Sequence, residues 1–521
     1  MGIYINKNNK SFQMSLNTDI YIDKTGLIEI TNSFINTRKR YMCISRPRRF
    51  GKSMALEMLI AYYSKGCNSY EQFKNLKIAK SPSFEKHLNK YNVLWLNMTK
   101  FKGLENRAED ILHNLNEWVI NDLRTEFPNL IEKETHFLPK ALEDIYNKTN
   151  EQFIILIDEW DMIFRDEKAE IHEDYVEFLR ALFKDNEYVA LAYLTGILPI
   201  KKQVTQSSLN NFTEYSIVNA ELLAEYYGFT DEEVKYICET FNIDYEECKR
   251  WYDGYLLNGK THIYNPNSLV EASWRKDFHS YWTNTASYEA LKIHIVRNLK
   301  GLRKSIIELL GGSEIPVNIG LFTNDIHNPT SLDDVLTLLA HLGYLSYNSK
   351  TKSVFIPNKE IKEEFARTLT VSKWKEVERS LTNSAKLLAD TISGKEKAVA
   401  KALDRVHADT ASILKYNSEE TLSCVITIAY YAALDEFLFI REMPTGKGYA
   451  DLVLLPKHGS DKPALVIELK SRKTAKAAID QIKKKNYIDA IKEYKGDILL
   501  VGINVDREKK HSCVIERVTK E

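Results

Sequence analysis

The string Arg46-Pro47-Arg48-Arg49-Phe50-Gly51-Lys52-Ser53 holds the residue types that a phosphate-binding loop needs. A glycine lets backbone amides close around phosphate oxygens, a lysine carries charge to the β and γ phosphates, and a hydroxyl residue ligates magnesium. The usual spacing is G-x-x-x-x-G-K-[ST], and Arg46 stands where the first glycine is expected. By itself the string also reads as a basic turn ahead of a helix. A second motif strengthens the first reading. The apolar run Phe153-Ile154-Ile155-Leu156-Ile157 leads directly into Asp158-Glu159. A carboxylate at the carboxyl end of a buried parallel strand is where a magnesium-bound nucleotide sits in doubly wound sheets. Asp158 is the metal holder, and Glu159 orients or deprotonates the attacking water.

A separate constellation lies near the carboxyl end. Asp451 enters the run Leu452 to Leu455, and Glu468-x-Lys470 closes the run Ala464 to Leu469. Strand side chains alternate, so Glu468 and Lys470 share one face. Asp451 and Glu468 can share a divalent ion with a phosphodiester oxygen and a water, and Lys470 can position that water or stabilise charge on phosphorus. Oxygen ligands without His or Cys favour magnesium or manganese over zinc. Glu442 is a further acid in range, equally readable as a surface residue.

These residues need elements to hold them. Tyr41-Met42-Cys43-Ile44-Ser45 reads as a strand and Met54-Ala55-Leu56-Glu57-Met58-Leu59-Ile60 as a helix, which brackets the basic string as strand, tight loop and helix. Val93 to Asn97 and Tyr188 to Leu194 are further strands, with Ile171, Tyr175, Phe178, Leu179 and Leu182 at helical spacing between. Alternation of this kind predicts a parallel sheet covered by helices on both faces. Thr195 closes the last strand, where it reads as a γ-phosphate sensor or equally as a turn residue before Gly196. Thr230-Asp231-Glu232-Glu233 is a capping box, opening a mainly helical region. The cluster Trp251-Tyr252-Asp253-Gly254-Tyr255 reads as a packed lid. Tyr344 to Tyr347 with Ser353 to Ile356 reads as a hairpin, and Leu422 to Phe439 as a long apolar helix. Ala475, Ala478, Ile479 and Ile482 share one helix face, with Lys476, Gln481, Lys483, Lys484 and Lys485 largely elsewhere. The expected divisions are a nucleotide domain at 1–219, a helical lid at 220–299, a mainly helical, winged-helix-like connector at 300–416 and a terminal α/β domain at 417–521.

Bulk composition narrows the classes. The chain has 521 residues, 44% hydrophobic and 28% charged, which fits several globular domains and excludes a disordered tail. Its 72 basic and 72 acidic residues cancel, so contact with nucleic acid must be local. From Lys470 to Lys485 seven basic residues face one acid, a patch able to neutralise backbone phosphates or simply a solvated lysine-rich helix. Cys43, Cys67, Cys238, Cys248, Cys424 and Cys513 show no metal spacing, and Cys238 with Cys248 is too isolated to suggest a zinc site. The longest apolar stretch, Val425 to Leu434, is too short to cross a bilayer. The expectation is a reduced, cytoplasmic protein.

On these residues the chain resembles a bacterial family that joins an AAA-ATPase-like domain to a PD-(D/E)XK nuclease-like domain. The resemblance is carried by Tyr21-Ile22-Asp23-Lys24-Thr25, the basic string with Gly51-Lys52-Ser53, Ile157-Asp158-Glu159-Trp160-Asp161, Thr195-Gly196-Ile197-Leu198-Pro199, and Asp451 with Glu468-x-Lys470. It implies that Arg46 is normal at its position and that Gln481 stands at the place of the nuclease helix glutamine. It implies ATP contacts from Arg49, Phe50, Gly51, Lys52, Ser53, Asp158 and Thr195. Magnesium then falls to Ser53 and Asp158, and magnesium or manganese to Asp451 and Glu468, while catalysis falls to Glu159, Asp451, Glu468, Lys470 and Gln481. No clear arginine finger follows the last strand: Arg180 is a candidate, and Pro199 and Ile200 occupy the region where a second arginine is looked for. The implied function is an ATPase whose cycle gates a nuclease, the rival being an ATP-operated switch or scaffold that binds nucleic acid or protein without cutting. DNA or RNA, and self-association, stay open.

Overall fold

The computed structural model describes residues 2–102, 110–165, 169–200, 209–282, 294–295, 299, 301–326, 328–371, 375–411, 425–445, 448–457, 460–485, 487, 491 and 494–519. The chain forms two compact units, one made of Met1–Ser287 with Pro316–Ile361 and the other of Tyr288–Ile315 with Lys362–Glu521.

The first unit is built on a five-stranded sheet. Its strands are β1 (Tyr41–Ser45), β2 (Asn92–Asn97), β3 (Phe153–Asp158), β4 (Val189–Gly196) and β5 (Thr213–Tyr215). The order is β2-β3-β4-β1-β5, and every pairing is parallel. All residues of β1, β3 and β4 are buried, which is why they read as unbroken apolar runs. Alternate side chains feed two cores: Phe153, Ile155 and Ile157 join one, while Ile154 and Leu156 join the other. Helix α1 (Lys52–Tyr63) follows β1, and helix α2 (Ala169–Phe183) precedes β4. The mononucleotide end of such a sheet is the carboxyl edge of β1, β3 and β4, where Ser45, Asp158 and Thr195 lie.

A smaller sheet pairs β6 (Phe229–Thr230), β7 (Tyr255–Leu257) and β8 (Thr261–Tyr264). Helices α3 (Asp231–Phe241) and α4 (Tyr245–Tyr252) accompany it. The capping box forms as its residues predict: the Glu233 amide donates to the Thr230 hydroxyl, and the Thr230 amide to the Glu233 carboxylate. Trp251, Tyr252 and Tyr255 are buried, so the aromatic cluster is core. Cys238 and Cys248 meet inside with their sulfurs 3.4 Å apart as free thiols. Strands β9 (Ser346–Asn348) and β10 (Ser353–Phe355) make the expected hairpin.

In the second unit, β11 (Phe437–Thr445), β12 (Gly448–Pro456), β13 (Ala464–Ser471), β14 (Ile498–Val505) and β15 (His511–Val518) form a mixed sheet in that order. Only β13 and β14 run parallel. Helices α5 (Lys375–Ile392) and α6 (Glu396–Ala411) precede it, and α7 (Ala475–Lys484) makes the parallel crossover. Ala475, Ala478, Ile479 and Ile482 are the buried face of α7. A Cβ on Gly502 would come within 2.3 Å of the Ala475 carbonyl oxygen, so glycine there permits the close approach of α7 to β14. The other face is closed by α6. Asp404 accepts the His511 amide at 2.8 Å and faces its ring nitrogen at 3.1 Å.

The expected helix from Leu422 to Phe439 is shorter than its apolar length suggests. Residues 422–424 lie outside the described residues, 425–429 are helical, Ala433–Glu436 is a short helix, and the chain enters β11 at Phe437. There the burial period changes to two, with Phe437 buried and Leu438 half exposed, because pairing with β12 claims the backbone. Among the described residues no helix is long and apolar enough to cross a membrane.

Candidate functional site

Around the basic string the backbone turns sharply. Arg49 and Gly51 both take left-handed φ, 70° and 86°. A Cβ on Gly51 would meet nothing within 4 Å, so the glycine serves backbone conformation rather than space. Arg46 points away from this loop. Its guanidinium is buried and donates to the carbonyls of Ser45, Tyr215 and Leu223, lying over the Tyr227 ring. It therefore staples the start of the loop to β5 and to the short helical turn at Leu223, a structural task that a glycine could not perform. Phe50 is buried edge-on against Tyr255, and its carbonyl accepts the Gly228 amide. Thus the loop also leans on the smaller sheet.

Lys52 opens α1 with its ammonium donating to the Arg46 and Pro47 carbonyls at 3.0 and 2.8 Å. Burial pushes its pKa down to about 8, against the opposing pull of Glu159, Asp158 and Asp161. The Ser53 hydroxyl donates to Asp158 Oδ2 at 2.8 Å, and the Thr195 hydroxyl donates to Asp158 Oδ1 at 2.7 Å. Ser53, Asp158 and Thr195 thus converge from three elements on one point. Hydroxyl and carboxylate oxygens are the donor set that suits a hard cation such as magnesium. Glu159 stands beside them with a left-handed φ of 55°.

Of these groups, Lys52, Ser53 and Glu159 open on a cavity of about 610 Å³. Arg48, Arg49, Gly51, Lys52, Ser53 and Glu159 line it, and Tyr21, Ile22, Met54, Phe229 and Val270 give it apolar walls. The volume falls in the range of small-ligand pockets. The Tyr21-Ile22-Asp23-Lys24-Thr25 segment is held there by two anchors. Asp23 accepts from the Thr25 and Lys77 amides, and Lys24 pairs with Glu233 at 2.6 Å. Arg180 stays outside this group, exposed on α2 beside Glu177.

Sequence reasoning gave no task to Asp161 or Arg165. Asp161 is fully buried and accepts the amides of Ile197 and Leu198, tying the turn after β3 to the chain after β4. A Cβ on Gly196 would come within 2.6 Å of Asp161 and the Trp160 ring, so that residue is glycine for lack of room. Arg165 reaches back to both Glu159 and Asp161. The available signal is the Asp161-to-Arg165 spacing of opposite charges four apart.

In the second unit Asp451 on β12, Glu468 and Lys470 on β13, and Gln481 on α7 are brought together. The Lys470 ammonium donates to Glu468 Oε1 at 2.7 Å, and the Gln481 amide donates to the same oxygen. Asp451 Oδ2 accepts the Leu469 amide at 2.7 Å. Burial, then repulsion from Asp451, pushes Glu468 up to about 7, with Lys470 and Lys485 pulling the other way. Among the described residues, buried Glu468 Oε2 has no hydrogen-bond partner. An orphaned carboxylate oxygen beside a second acid fits a hard divalent cation, which would satisfy the oxygen and relieve the repulsion. Among the described residues no group of three or more His, Cys, Asp or Glu forms a metal cluster. Glu442 sits on β11 between the Arg441–Leu452 and Met443–Ala450 pairs; its side chain lies outside the described residues.

Two stretches of the chain match known families. Residues 10–205 match the family described as predicted AAA-ATPase, and residues 418–515 match the PD-(D/E)XK nuclease superfamily. An uncharacterised protein in the vnfD 5' region of Azotobacter chroococcum mcd 1 is 23% identical over 516 residues, covering 94% of this chain and 93% of that one. The Walker-type ATPase PABY2304 of Pyrococcus abyssi superposes with a TM-score of 0.35 at 12% identity, covering 66% of this chain and 94% of the other. The ORC1 protein of Aeropyrum pernix, solved in complex with DNA, gives a TM-score of 0.27 at 12% identity, covering 71% and 98%. Such superpositions are loose, and the α/β assignment rests on the strand orders and the two family matches.

Proposed function

We propose that the chain, in which an AAA-ATPase-like domain and a PD-(D/E)XK nuclease-like domain are fused, binds and hydrolyses ATP and uses that cycle to gate metal-dependent cleavage of nucleic-acid phosphodiesters. The observation that carries the first half is the Ser53–Asp158–Thr195 convergence beside buried Lys52, with Lys52 and Ser53 lining the 610 Å³ cavity. Lys52 now spends its ammonium on two loop carbonyls, and phosphate oxygens are stronger acceptors for the same group. The backbone amides from Arg49 to Ser53 and the start of α1 add an anion site. Thr195 faces the γ-phosphate position. Glu159 accepts a proton as water adds to the γ-phosphorus and the bond to the departing ADP oxygen breaks.

At the second site Asp451 and Glu468 hold the cation, Lys470 keeps one Glu468 oxygen oriented, and Gln481 fixes it from α7. Magnesium or manganese, when bound, supplies charge neutralisation and an activated water. Lys485, at the carboxyl-terminal cap of α7, pulls on the Glu468 carboxylate, and its charge suits a phosphate backbone.

The test uses the full chain. Calorimetry should show ATP uptake that is lost in Lys52→Ala. Plasmid, linear DNA and RNA should be cut with magnesium or manganese, and cutting should disappear in Asp451→Ala and Lys470→Ala while depending on ATP. Nucleotide-dependent binding without cleavage would instead favour the switch, and ATP uptake that survives Lys52→Ala would remove the first site.

A further inference from the structure

Arg165 ends a short turn after β3, and none of the steps above uses it. One guanidinium nitrogen, Nη2, lies 2.7 Å from Glu159 Oε2 and 2.8 Å from Asp161 Oδ1. Asp161 in turn holds the Ile197 and Leu198 amides at 3.1 and 2.9 Å, and the Trp160 amide donates to the Thr195 carbonyl. A rigid frame therefore runs from the chain after β4, through Asp161 and Arg165, to one oxygen of Glu159. Glu159 lines the cavity, and among the described residues its other oxygen has no protein partner. Arg165 does not line the cavity, whereas Arg48 and Arg49 do. The guanidinium is thus engaged by two carboxylates rather than turned into the cavity.

We propose that Arg165 is the positioning residue for Glu159: it pins Oε2 so that Oε1 faces the cavity and the attacking water. This rests on the reading of the first site as an ATPase. A carboxylate on a flexible two-carbon stem samples several rotamers, and a left-handed backbone at Glu159 aims it only coarsely. Anchoring one oxygen leaves the other a narrow range of directions, which is what general-base geometry requires. Asp161 anchors the anchor, so the device reports on the same segment that carries Thr195.

The experiment measures ATP affinity by calorimetry and kcat by phosphate release on the full-length chain, for wild type, Arg165→Ala, Arg165→Lys, Glu159→Gln and the Arg165→Ala/Glu159→Gln double variant. Arg165→Ala should bind ATP within about threefold of wild type while kcat falls by roughly 30-fold, since misplacement of a reacting group costs rate rather than binding. Arg165→Lys should recover part of that loss. The double variant should be no slower than Glu159→Gln alone, because a residue acting through Glu159 has nothing left to do once that carboxylate is gone. Losses that multiply in the double variant, or an unchanged kcat in Arg165→Ala, overturn the proposal. If removing Arg165 leaves buried Asp161 too costly for folding, Arg165→Ala/Asp161→Asn removes both charges and should show the same loss of kcat with ATP affinity retained; wild-type kcat there overturns the proposal equally. A wild-type chain that takes up no ATP overturns the ATPase reading itself, an outcome visible before any variant is made.

Discussion

Lys52 offers the sharpest test of the nucleotide site, because its charge is both buried and needed. Its pKa is pushed down to about 8. Only the ammonium form can pair with phosphate, so apparent affinity scales with the protonated fraction in the free protein. That fraction is about 0.9 at pH 7 and about 0.1 at pH 9, so the dissociation constant for ATP should weaken roughly tenfold across this span, or about 1.4 kcal/mol. The sign is set by the direction of the shift. Below pH 8 the lysine is charged and binding is at full strength; binding is lost as pH rises through 8, and bound phosphate delays the loss by holding the proton. Calorimetric titrations of ATP at pH 7, 8 and 9 read this directly. Lys52→Arg stays charged throughout and should give a flat profile at lower affinity. A dissociation constant for wild type that is flat or improves between pH 7 and 9 refutes the argument that a desolvated ammonium sits at the phosphates.

The same geometry makes other outcomes measurable. Ser53→Ala should leave ATP binding in chelator unchanged and erase the gain that magnesium brings to wild type, as read by calorimetry with and without the metal. At the second site, Glu468 titrates near 7 and binds a cation only when ionised, so manganese affinity in a Ser53→Ala background should strengthen roughly tenfold from pH 6 to pH 8 and vanish in Asp451→Asn. Gly196→Ala drives a methyl group into Asp161 and Trp160 and should cost about 1–3 kcal/mol in urea unfolding. Thr230→Ala should cost about 1 kcal/mol by opening the cap of α3, with no change in metal affinity at the second site.

Much of the scaffold was readable because the parallel strands are buried on both faces. Residues 41–44 and 153–157 are unbroken apolar stretches, and the polar residues that follow them, Ser45 and Asp158, lie at one sheet edge. The buried face of α7 was equally readable, since Ala475, Ala478, Ile479 and Ile482 recur with helical period. What escaped was tertiary. Asp161 and Arg165 lie on a turn with no periodicity, and their meaning comes from amides after β4, far along the chain. Arg46 departs from the usual glycine without showing what it does, and only its carbonyl partners on other elements give it a task. The boundary at Phe437 failed because a short apolar run fits helix and strand alike until a neighbouring strand claims it.

The polypeptide passes between its two units three times, at residues 287/288, 315/316 and 361/362. During synthesis, therefore, part of the second unit leaves the ribosome before the first is complete, and neither can be obtained by a single cut. A fragment spanning only 418–515 would lack the Asp404 carboxylate that grips His511 and would end inside β15. Such a truncation would leave one face of the mixed sheet bare and greasy, so an inert or insoluble fragment would say little about the intact chain.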